Sequence, residues 1–243
     1  MSRFAGKTIV VVGGSGVLGG QLVSLLTAAG ATVFATATSN ESAARIPATG
    51  QPQLLLDLAN QASIDSVSVW LSQSLPQLDG LILAGGRVGF GTADSTTDNQ
   101  LAQLMQVNFL GQAALLNQLL PLLRTSAAND GNPFIAAITG VVAEKPFPGM
   151  SAYCASKTAL SSYLAVLKTE LRRDKIQVLD ARPGHTETGL ATRPLFGAAP
   201  TMPAGMTPQH VASVILAGIE AGESVLPSTA YGITRPWLAL ATT

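Results

Sequence analysis

The chain has 243 residues, a length typical of one α/β domain, and 47% of them are hydrophobic while only 12% are charged. Its formal net charge of zero disfavours nucleic acid or an anionic membrane as a partner. No apolar run approaches the length of a membrane span, no N-terminal signal pattern is recognisable, and one cysteine with two histidines predicts no metal site. We therefore expect a cytoplasmic protein, and the scarcity of charge favours a homo-oligomer.

Strand and helix patterns alternate along the chain. Short apolar runs predict strands at Thr8–Val12, Thr32–Ala37, Pro52–Asp57, Leu78–Ala84, Phe134–Thr139, Gln177–Ala181 and Ser224–Leu226. Helical periodicity predicts helices at Gly19–Ala29, Ala62–Ser74, Gln100–Leu123, Ala152–Arg173 and Pro208–Ala221, the last capped by Thr207. This alternation predicts an α/β fold, a doubly wound parallel sheet of about seven strands with helices on both faces, in one domain over residues 1–243.

A glycine-rich turn follows the first predicted strand and precedes a helical pattern. Gly13, Gly16 and Gly19 are evenly spaced within it. Gly13 permits the tight turn, Gly16 lets the backbone approach a pyrophosphate, and Gly19 allows the helix to pack closely on the strand. This context predicts a dinucleotide site at the helix N-terminus. An ordinary strand-to-helix turn is the alternative.

Tyr153 and Lys157 are one helical turn apart, so they lie on the same helix face. A nearby ammonium favours the phenolate and lowers the pKa of a tyrosine. A tyrosine tuned in this way passes protons to or from an oxygen near neutral pH. The pair therefore indicates acid–base chemistry in a chain that also carries a nucleotide motif.

The one long stretch without periodicity, residues 188–206, is rich in Pro, Gly and Ala. A loop of this length inside a compact domain is usually a functional lid or disordered. Its apolar side chains suggest a lid over an apolar or acyl substrate, and an oligomer contact is the alternative. They are Leu190, Leu195, Phe196, Met202 and Met206.

These motifs together resemble those of the short-chain dehydrogenase/reductase family, in particular its β-ketoacyl-acyl-carrier-protein reductases. The resemblance covers residues 3–226 and implies a Rossmann fold that binds a nicotinamide dinucleotide across the carboxyl ends of its strands. It also implies a small carbonyl or alcohol substrate and a homodimer or homotetramer built on the two long helices. Beyond the turn and the Tyr153/Lys157 pair, the matching segments are Asp57-Leu58, Val107–Gly111 and Arg182–Thr188.

The resemblance implies roles for individual residues. Tyr153 would be the general acid/base, Lys157 would hold the ribose and tune Tyr153, and Asn108 would sit mid-helix and hold a proton-relay water. Asp57 would accept a hydrogen bond from the adenine amine, with a surface carboxylate as the alternative. The other cofactor contacts would fall on Gly13, Ser15, Gly16, Leu18, Gly19, Thr38, Ser39, Leu58, Ala84, Gly85, Pro183, Gly184, Thr186 and Thr188.

The chain departs from the family pattern at three points. The family usually has a serine where this chain has Gly140, an Asn-Asn-Ala-Gly segment where it has residues 83–86, and a glycine where it has Val17. Loss of one oxyanion donor costs on the order of 3 kcal/mol in transition-state stabilisation. Candidate replacements for the serine are Thr139, His185 and a tightly held water above Gly140.

The end of the second predicted strand favours NADP(H) over NAD(H). An NAD enzyme of this fold normally has an acidic residue there, whereas this chain has Thr38 and Ser39, whose hydroxyls suit a 2′-phosphate. Against this preference, Gly16 stands where NADPH-using relatives carry an arginine, and Glu41 is close in sequence. The interpretation is an NADP(H)-dependent reductase of a ketone, with a non-enzymatic dinucleotide sensor or scaffold as the alternative.

Overall fold

The computed structural model describes residues 2–232, in which seven parallel strands form one sheet. The strands lie in the order β3-β2-β1-β4-β5-β6-β7, so the predicted doubly wound parallel sheet is confirmed. They are Thr8–Val12 (β1), Thr32–Ala37 (β2), Leu54–Leu55 (β3), Gly80–Leu83 (β4), Phe134–Ile138 (β5), Gln177–Ala181 (β6) and Val225–Leu226 (β7).

Helices cover both faces of this sheet. They are Val17–Ala28 (α1), Asn40–Ala43 (α2), Gln61–Ser74 (α3), Asp98–Met105 (α4), Gly111–Ala128 (α5), Ser151–Glu170 (α6) and Pro208–Glu220 (α7), with a π-helical segment, Gln106–Leu110, joining α4 to α5. On one face α1 packs against α7; on the other, α3 packs against α5 and α4 against α6. Within residues 2–232, no helix combines the length and apolarity that crossing a bilayer requires.

Strand β1 is apolar throughout because both of its faces are buried. Val10 and Val12 contribute to the core under α3, α5 and α6, whereas Ile9 and Val11 contribute to the core under α1 and α7. Parallel strands covered by helices on both faces have such continuous apolar runs. The two cores hold the central strands rigidly, and the loops at their carboxyl ends are positioned by them.

Three predicted elements differ from the observed ones. The third strand is only Leu54–Leu55, because these two residues alone pair with β2. The single helix predicted over Gln100–Leu123 is interrupted by the π-helical segment and continues to Ala128. Helix α2 was not predicted, because four residues are too few to show periodicity. The predicted cap is confirmed, since the Thr207 side chain accepts a hydrogen bond from His210 N at 3.2 Å.

The order of the strands determines where a ligand can bind. The chain runs from β1 outward through β2 to β3, then returns to β4 on the other side of β1. The loops after β1 and β4 consequently diverge and leave a crevice at the carboxyl edge of the sheet. In doubly wound sheets this switch point is where ligands bind.

Candidate active site

A cavity of about 630 Å³ opens at this switch point. It brings together six residues that the sequence predicted as cofactor contacts: Gly13, Ser15, Thr38, Asp57, Leu58 and Gly85. The remaining lining comes from the strand ends, α4, the π-helical segment and the 188–206 loop. These residues are Val12, Thr36, Ala37, Leu56, Ala59, Gly86, Arg87, Ala102, Gln103, Gln106, Val107 and Leu195.

The glycine turn has the close backbone approaches that the sequence predicted. Gly13 has a φ of 78°, and a Cβ atom there would lie 2.8 Å from the backbone of Gly85. A Cβ atom at Gly19 would lie 2.1 Å from the Gly13 carbonyl oxygen, so α1 begins directly against the turn. Gly13 N donates a hydrogen bond to Thr36 Oγ1 at 3.0 Å. Thr36, whose buried hydroxyl lies near the end of β2, is a cavity residue that the sequence analysis missed.

Two buried amides from the π-helical segment and the start of α5 hold the loop after β4. Asn108 donates from Nδ2 to the Arg87 carbonyl oxygen and accepts at Oδ1 from Arg87 N, both at 2.8 Å. Gln112 donates from Nε2 to the Gly85 carbonyl oxygen at 3.0 Å. These helix-borne amides support a segment that has lost the family's two asparagines. Gln112 was missed because a glutamine in a long helix reads as a surface residue.

The amine of Lys157 lies against the cavity wall. A Cβ atom at Gly86 would lie 3.2 Å from both Lys157 Nζ and Asn108 Oδ1. Lys157 is 5% exposed and donates from Nζ to the Ile138 carbonyl oxygen at 2.8 Å. Asn108 is fully buried and also donates to Ser156 Oγ at 3.0 Å, so a solvated helix position is wrong for it.

Burial controls the protonation of the Tyr153/Lys157 pair. Loss of solvent raises the pKa of the Tyr153 phenol, and the neighbouring Cys154 acts in the same direction. Loss of solvent also lowers the pKa of Lys157 to about 8, while the charge of Asp180 opposes this shift. The sequence predicted a lowered pKa for Tyr153. The direction in the structure is opposite, because desolvation by burial dominates and cannot be derived from sequence spacing.

Gly140, at the position of the family's serine, has a backbone conformation that favours glycine. Its φ of 86° and ψ of 166° fall in a region that side-chain-bearing residues almost never adopt. A Cβ atom there would have space, with Pro183 O at 3.6 Å as its nearest neighbour. Gly140 therefore differs from a serine in two ways, because it lacks the hydroxyl and because its backbone has a conformation that a serine would not favour.

Of the candidate replacement donors, Thr139 is engaged elsewhere. Its hydroxyl carries one proton and donates it to Asp180 Oδ1 at 2.5 Å, beneath the end of β5. The His185 ring lies beside Glu187, with Nε2 3.4 Å from the Glu187 carboxylate, and packs against Gly205. Neither side chain is among those that line the cavity.

The other predicted contacts are not among the residues that line the cavity. Ser39 caps α2, since its hydroxyl accepts from Ser42 N at 3.2 Å and donates to Ser42 Oγ. Pro183 accepts from Val141 N at 2.8 Å, which ties the loop after β6 to the turn at Gly140. The remaining predicted contacts outside the lining are Gly16, Leu18, Gly19, Ala84, Tyr153, Lys157, Gly184, Thr186 and Thr188.

The 188–206 loop is irregular and is bonded to the segment after β4. Leu195 N donates to the Val88 carbonyl oxygen at 2.7 Å, and Phe90 N donates to the Phe196 carbonyl oxygen at 3.0 Å. A bridge between Thr186 and Met206 closes the base of the loop. Leu195 contributes to the cavity wall. Within residues 2–232, no group of three His, Cys, Asp or Glu side chains is arranged to hold a metal ion.

The family model for short chain dehydrogenases matches residues 7–194, which span the glycine turn, the β4 loop and the Tyr153/Lys157 pair. The chain belongs to the short chain dehydrogenase family. It is accordingly an oxidoreductase, and its substrate is a small molecule.

Curated relatives of this dehydrogenase include enzymes from animals and bacteria. The dehydrogenase/reductase SDR family protein 7-like of Drosophila melanogaster is 30% identical over 233 residues, which cover 88% of this chain and 70% of the relative. The rhamnolipids biosynthesis 3-oxoacyl-[acyl-carrier-protein] reductase of Pseudomonas aeruginosa is 30% identical over 244 residues, covering 98% and 88%. These similarities extend over nearly the whole of the dehydrogenase, including the 188–206 loop region.

Solved structures of other dehydrogenases have the same fold. The short-chain dehydrogenase from Sphingobium yanoikuyae in complex with NADPH superposes with a TM-score of 0.81 at 24% identity, covering 96% of this chain and 92% of that one. The 3-ketoacyl-(acyl-carrier-protein) reductase from Brucella melitensis complexed with NADH has a TM-score of 0.81 at 20% identity, covering 94% and 99%. Their likeness confirms the architecture, and a nicotinamide dinucleotide suits the cavity at its switch point.

Proposed function

We propose that this dehydrogenase interconverts a ketone and a secondary alcohol with NADP(H), using Tyr153 as the acid/base. The observation that carries the proposal is the position of Lys157 Nζ, which lies against the same cavity wall that Gly86 contributes. Tyr153 is one helical turn before Lys157 on α6. An acid–base pair is thus joined to a cavity with the close backbone approaches of a dinucleotide site.

The residues of the chain would divide the chemistry among them. A nicotinamide dinucleotide, when bound, supplies or accepts the hydride. Tyr153 would give its phenolic proton to the substrate oxygen during reduction, and its raised pKa keeps that proton in place at neutral pH. Lys157 would hold the ribose and, as an ammonium, stabilise the phenolate that remains. A water above Gly140 would stabilise the developing alkoxide, because Thr139 and His185 are engaged with carboxylates.

The preference for NADP(H) rests on the residues that follow β2. Thr38 is exposed and lines the cavity, whereas a carboxylate at this point would repel a 2′-phosphate. Glu41, in the first turn of α2, is the nearest acidic residue in sequence. The relatives differ, since the Sphingobium structure contains NADPH and the Brucella structure NADH.

The 188–206 loop would be a lid over the substrate. The contacts of Leu195 and Phe196 with the 88–90 segment support this role, because they seat the loop over one end of the cavity. An apolar or acyl ketone would suit such a cover. We also propose that residues 1–243 act as one catalytic domain, in a cytoplasmic homodimer or homotetramer.

Substitution of Tyr153 tests the proposed function. Tyr153→Phe should abolish NADPH consumption with a panel of ketones while leaving the NADPH dissociation constant, measured by fluorescence titration, nearly unchanged. Tyr163→Phe is the matched control, because Tyr163 is on the same helix and its hydroxyl contacts only the exposed Asn117. Near-normal turnover by Tyr153→Phe would refute the acid/base role.

The alternative is a dinucleotide sensor that has kept the fold. The backbone conformation of Gly140 favours it, because a serine donor is absent and cannot be restored simply. Tight NADPH binding by the parent protein without turnover of any ketone in the panel would support the sensor.

A further inference from the structure

We propose that Asp180 is a positioning residue that fixes the end of β5 and helix α6 and thereby sets the place and charge of Lys157. The inference rests on the proposed function, because it assigns Lys157 a role in catalysis. Asp180 lies at the carboxyl end of β6 and is 3% exposed. It was not among the residues that the sequence singled out.

Three different segments donate hydrogen bonds to the Asp180 carboxylate. Thr139 Oγ1 donates to Oδ1 at 2.5 Å from the end of β5. Ser161 Oγ donates to Oδ2 at 2.7 Å from α6. Arg182 Nε and one terminal nitrogen, Nη2, lie 2.8 Å from Oδ2. A buried carboxylate is stabilised as an anion by such donors, so Asp180 is a charged clamp between β5, β6 and α6.

Both ends of the Lys157 side chain depend on this clamp. Ser161 follows Lys157 by one helical turn on α6, so its bond to Asp180 fixes the helix face from which Lys157 extends. Thr139 follows Ile138, whose carbonyl oxygen accepts from Lys157 Nζ at 2.8 Å. Asp180 therefore holds the root of the side chain through Ser161 and the acceptor of its amine through Thr139.

Asp180 is also the main source of negative charge near Lys157. On α6 the closest ionisable groups are Tyr153 and Cys154, which are neutral in their protonated forms. The α4 helix carries Asp98 only, in its first turn, and neither the π-helical segment nor the turn 141–143 has an ionisable side chain. The Asp180 charge opposes the desolvation that lowers the pKa of Lys157.

Further charged groups lie behind the carboxylate. Arg182 is 3.8 Å from Glu144, whose carboxylate accepts from Ser228 Oγ at 2.7 Å. Tyr231 is buried, and its pKa is raised by loss of solvent and by the charges of Asp180 and Glu144. Arg182 thus has a second carboxylate beside it, and an Asp180→Asn variant would not leave the guanidinium without a counter-charge.

The decisive measurement is the titration of Lys157 in the cofactor-free protein. Carbon-13 labelling of the lysine ε-carbons gives five signals, because the chain has five lysines, and the spectrum of Lys157→Met assigns the relevant one. In the parent, the midpoint for Lys157 should be near pH 8. In Asp180→Asn it should fall by about half a unit or more, because a nearby opposite charge has been removed.

Asp79→Asn is the matched control. Asp79 is also a buried sheet aspartate, 4% exposed, and accepts from Ser126 Oγ at 2.6 Å and from Thr8 N at 2.9 Å. It lies at the opposite edge of the sheet, just before β4. This variant should lose stability without moving the Lys157 midpoint. If Asp180→Asn leaves the midpoint where it is in the parent, the proposal is wrong.

Turnover provides the second readout. The alkaline limb of kcat for ketone reduction should move to lower pH in Asp180→Asn by the same amount as the Lys157 midpoint. If Asp180→Asn does not fold, Ser161→Ala replaces it in the test. This variant keeps the Asp180 charge and removes the hydrogen bond that ties α6 to Asp180. Its kcat should fall and its KM for NADPH should rise together, because Lys157 would serve both Tyr153 and the ribose, and an unchanged kcat would overturn the positioning role. A parent without turnover would refute the proposed function alone, since the lysine titration still reports on Asp180.

Discussion

Thr38 is the residue at which the choice between the two nicotinamide dinucleotides can be tested most directly. It is exposed at the end of β2 and lines the cavity, so its side chain can be changed without disturbing the core. Thr38→Asp should favour NADH by about tenfold or more, because a carboxylate accepts from the ribose 2′-OH and repels a 2′-phosphate. Fluorescence titrations with both cofactors measure this ratio. Thr38→Ala, which adds no charge, should weaken NADPH binding only modestly, and a parent that prefers NADH would contradict the assignment.

Gly140 leads to a prediction that differs from the one the sequence suggests. From the sequence alone, Gly140→Ser restores a missing oxyanion donor and raises turnover. The backbone at this position instead costs a side-chain-bearing residue about 1–3 kcal/mol, so the substitution should lower the free energy of unfolding by this amount and give no large gain in turnover. Gly20→Ala is the control, because a Cβ atom there meets only ordinary contacts inside α1. A stable Gly140→Ser variant with tenfold higher turnover would show that the loop adapts.

Burial of the Lys157 ammonium destabilises the fold. Its pKa is lowered from 10.5 to about 8, which corresponds to a destabilisation of about 3 kcal/mol at pH 7. Between these two values the native state binds fewer protons than the unfolded chain, so the destabilisation is full below pH 8 and fades as the pH rises towards 10.5. Lys157→Met should therefore be inactive yet no less stable than the parent at pH 7. Denaturant unfolding at pH 7 and pH 10 measures the free energy of unfolding of both proteins. The stability of Lys157→Met relative to the parent should be smaller at pH 10 than at pH 7, and an equal difference at both pH values would contradict the lowered pKa of Lys157.

At the residue scale, the sequence identified candidate site residues where the proposed chemistry requires a fixed spacing. The Tyr153/Lys157 pair and Gly13 with Gly19 are of this kind, since helix periodicity and turn geometry are local properties. Asp180 and Gln112 could not be predicted in this way. Their partners Thr139 and Gly85 are 41 and 27 residues away in the sequence and come close to them only in the folded chain. The direction of the Tyr153 pKa shift was missed for the same reason, since burial is a property of the folded chain.

The π-helical segment is the element that joins the loop after β4 to helix α6. It places Asn108 between Arg87 and Ser156, and helix α5 follows it directly from Gly111. A Cβ atom at Gly111 would lie 2.1 Å from the Leu58 carbonyl oxygen, in the loop after β3 that lines the cavity. Helix α5 and the loop after β3 are therefore in contact at Gly111, where there is no space for a side chain.

Gly111→Ala should push this element away from the cavity. We expect a loss of about 1–3 kcal/mol in the free energy of unfolding, as for other overpacked positions, together with weaker NADPH binding because Leu58 is displaced. Thermal unfolding and a cofactor titration measure the two effects. Ala113→Gly on the same helix is a control for helix propensity, which should cost about 1 kcal/mol and leave cofactor affinity unchanged. If Gly111→Ala binds NADPH like the parent, the contact with Leu58 does not position the site.

The elements that were predicted well are those long enough for their hydrophobic periodicity to be recognised. Helix α6 and the central strands agree with the sequence within a few residues, because each buries a continuous apolar face. The interruption of the Gln100–Leu123 helix was not predicted, since a π-helical turn preserves helical composition and changes only the hydrogen-bond pattern. The third strand was overestimated because its ends lack pairing partners, which depends on the neighbouring strand.

The whole molecule explains why the site lies where it does. Two cores, one on each face of the sheet, leave the carboxyl edge as the place where the loops after β1 and β4 diverge and the cavity opens. The predicted order of strands and helices was sufficient for this architecture, because right-handed crossovers and short connections leave few alternatives. The path of the 188–206 loop was not predictable, since its contacts with residues 88–90 are made by backbone groups.

Assembly is the property of the whole molecule that remains a prediction. Val166 on α6 is 57% exposed, and Leu110 at the end of the π-helical segment and Leu101 on α4 are also exposed. We expect these helices to pair between subunits, because the chain is only 12% charged and leaves apolar surface on this side. Sedimentation velocity at micromolar concentration should give a dimer or tetramer, and Val166→Glu should shift it to smaller species by burying a charge. Val69→Glu, at an equally exposed apolar position on α3 outside this pair, should leave the assembly intact. A monomeric parent would exclude the predicted assembly. A Val166→Glu variant that assembles like the parent would show that the interface lies elsewhere.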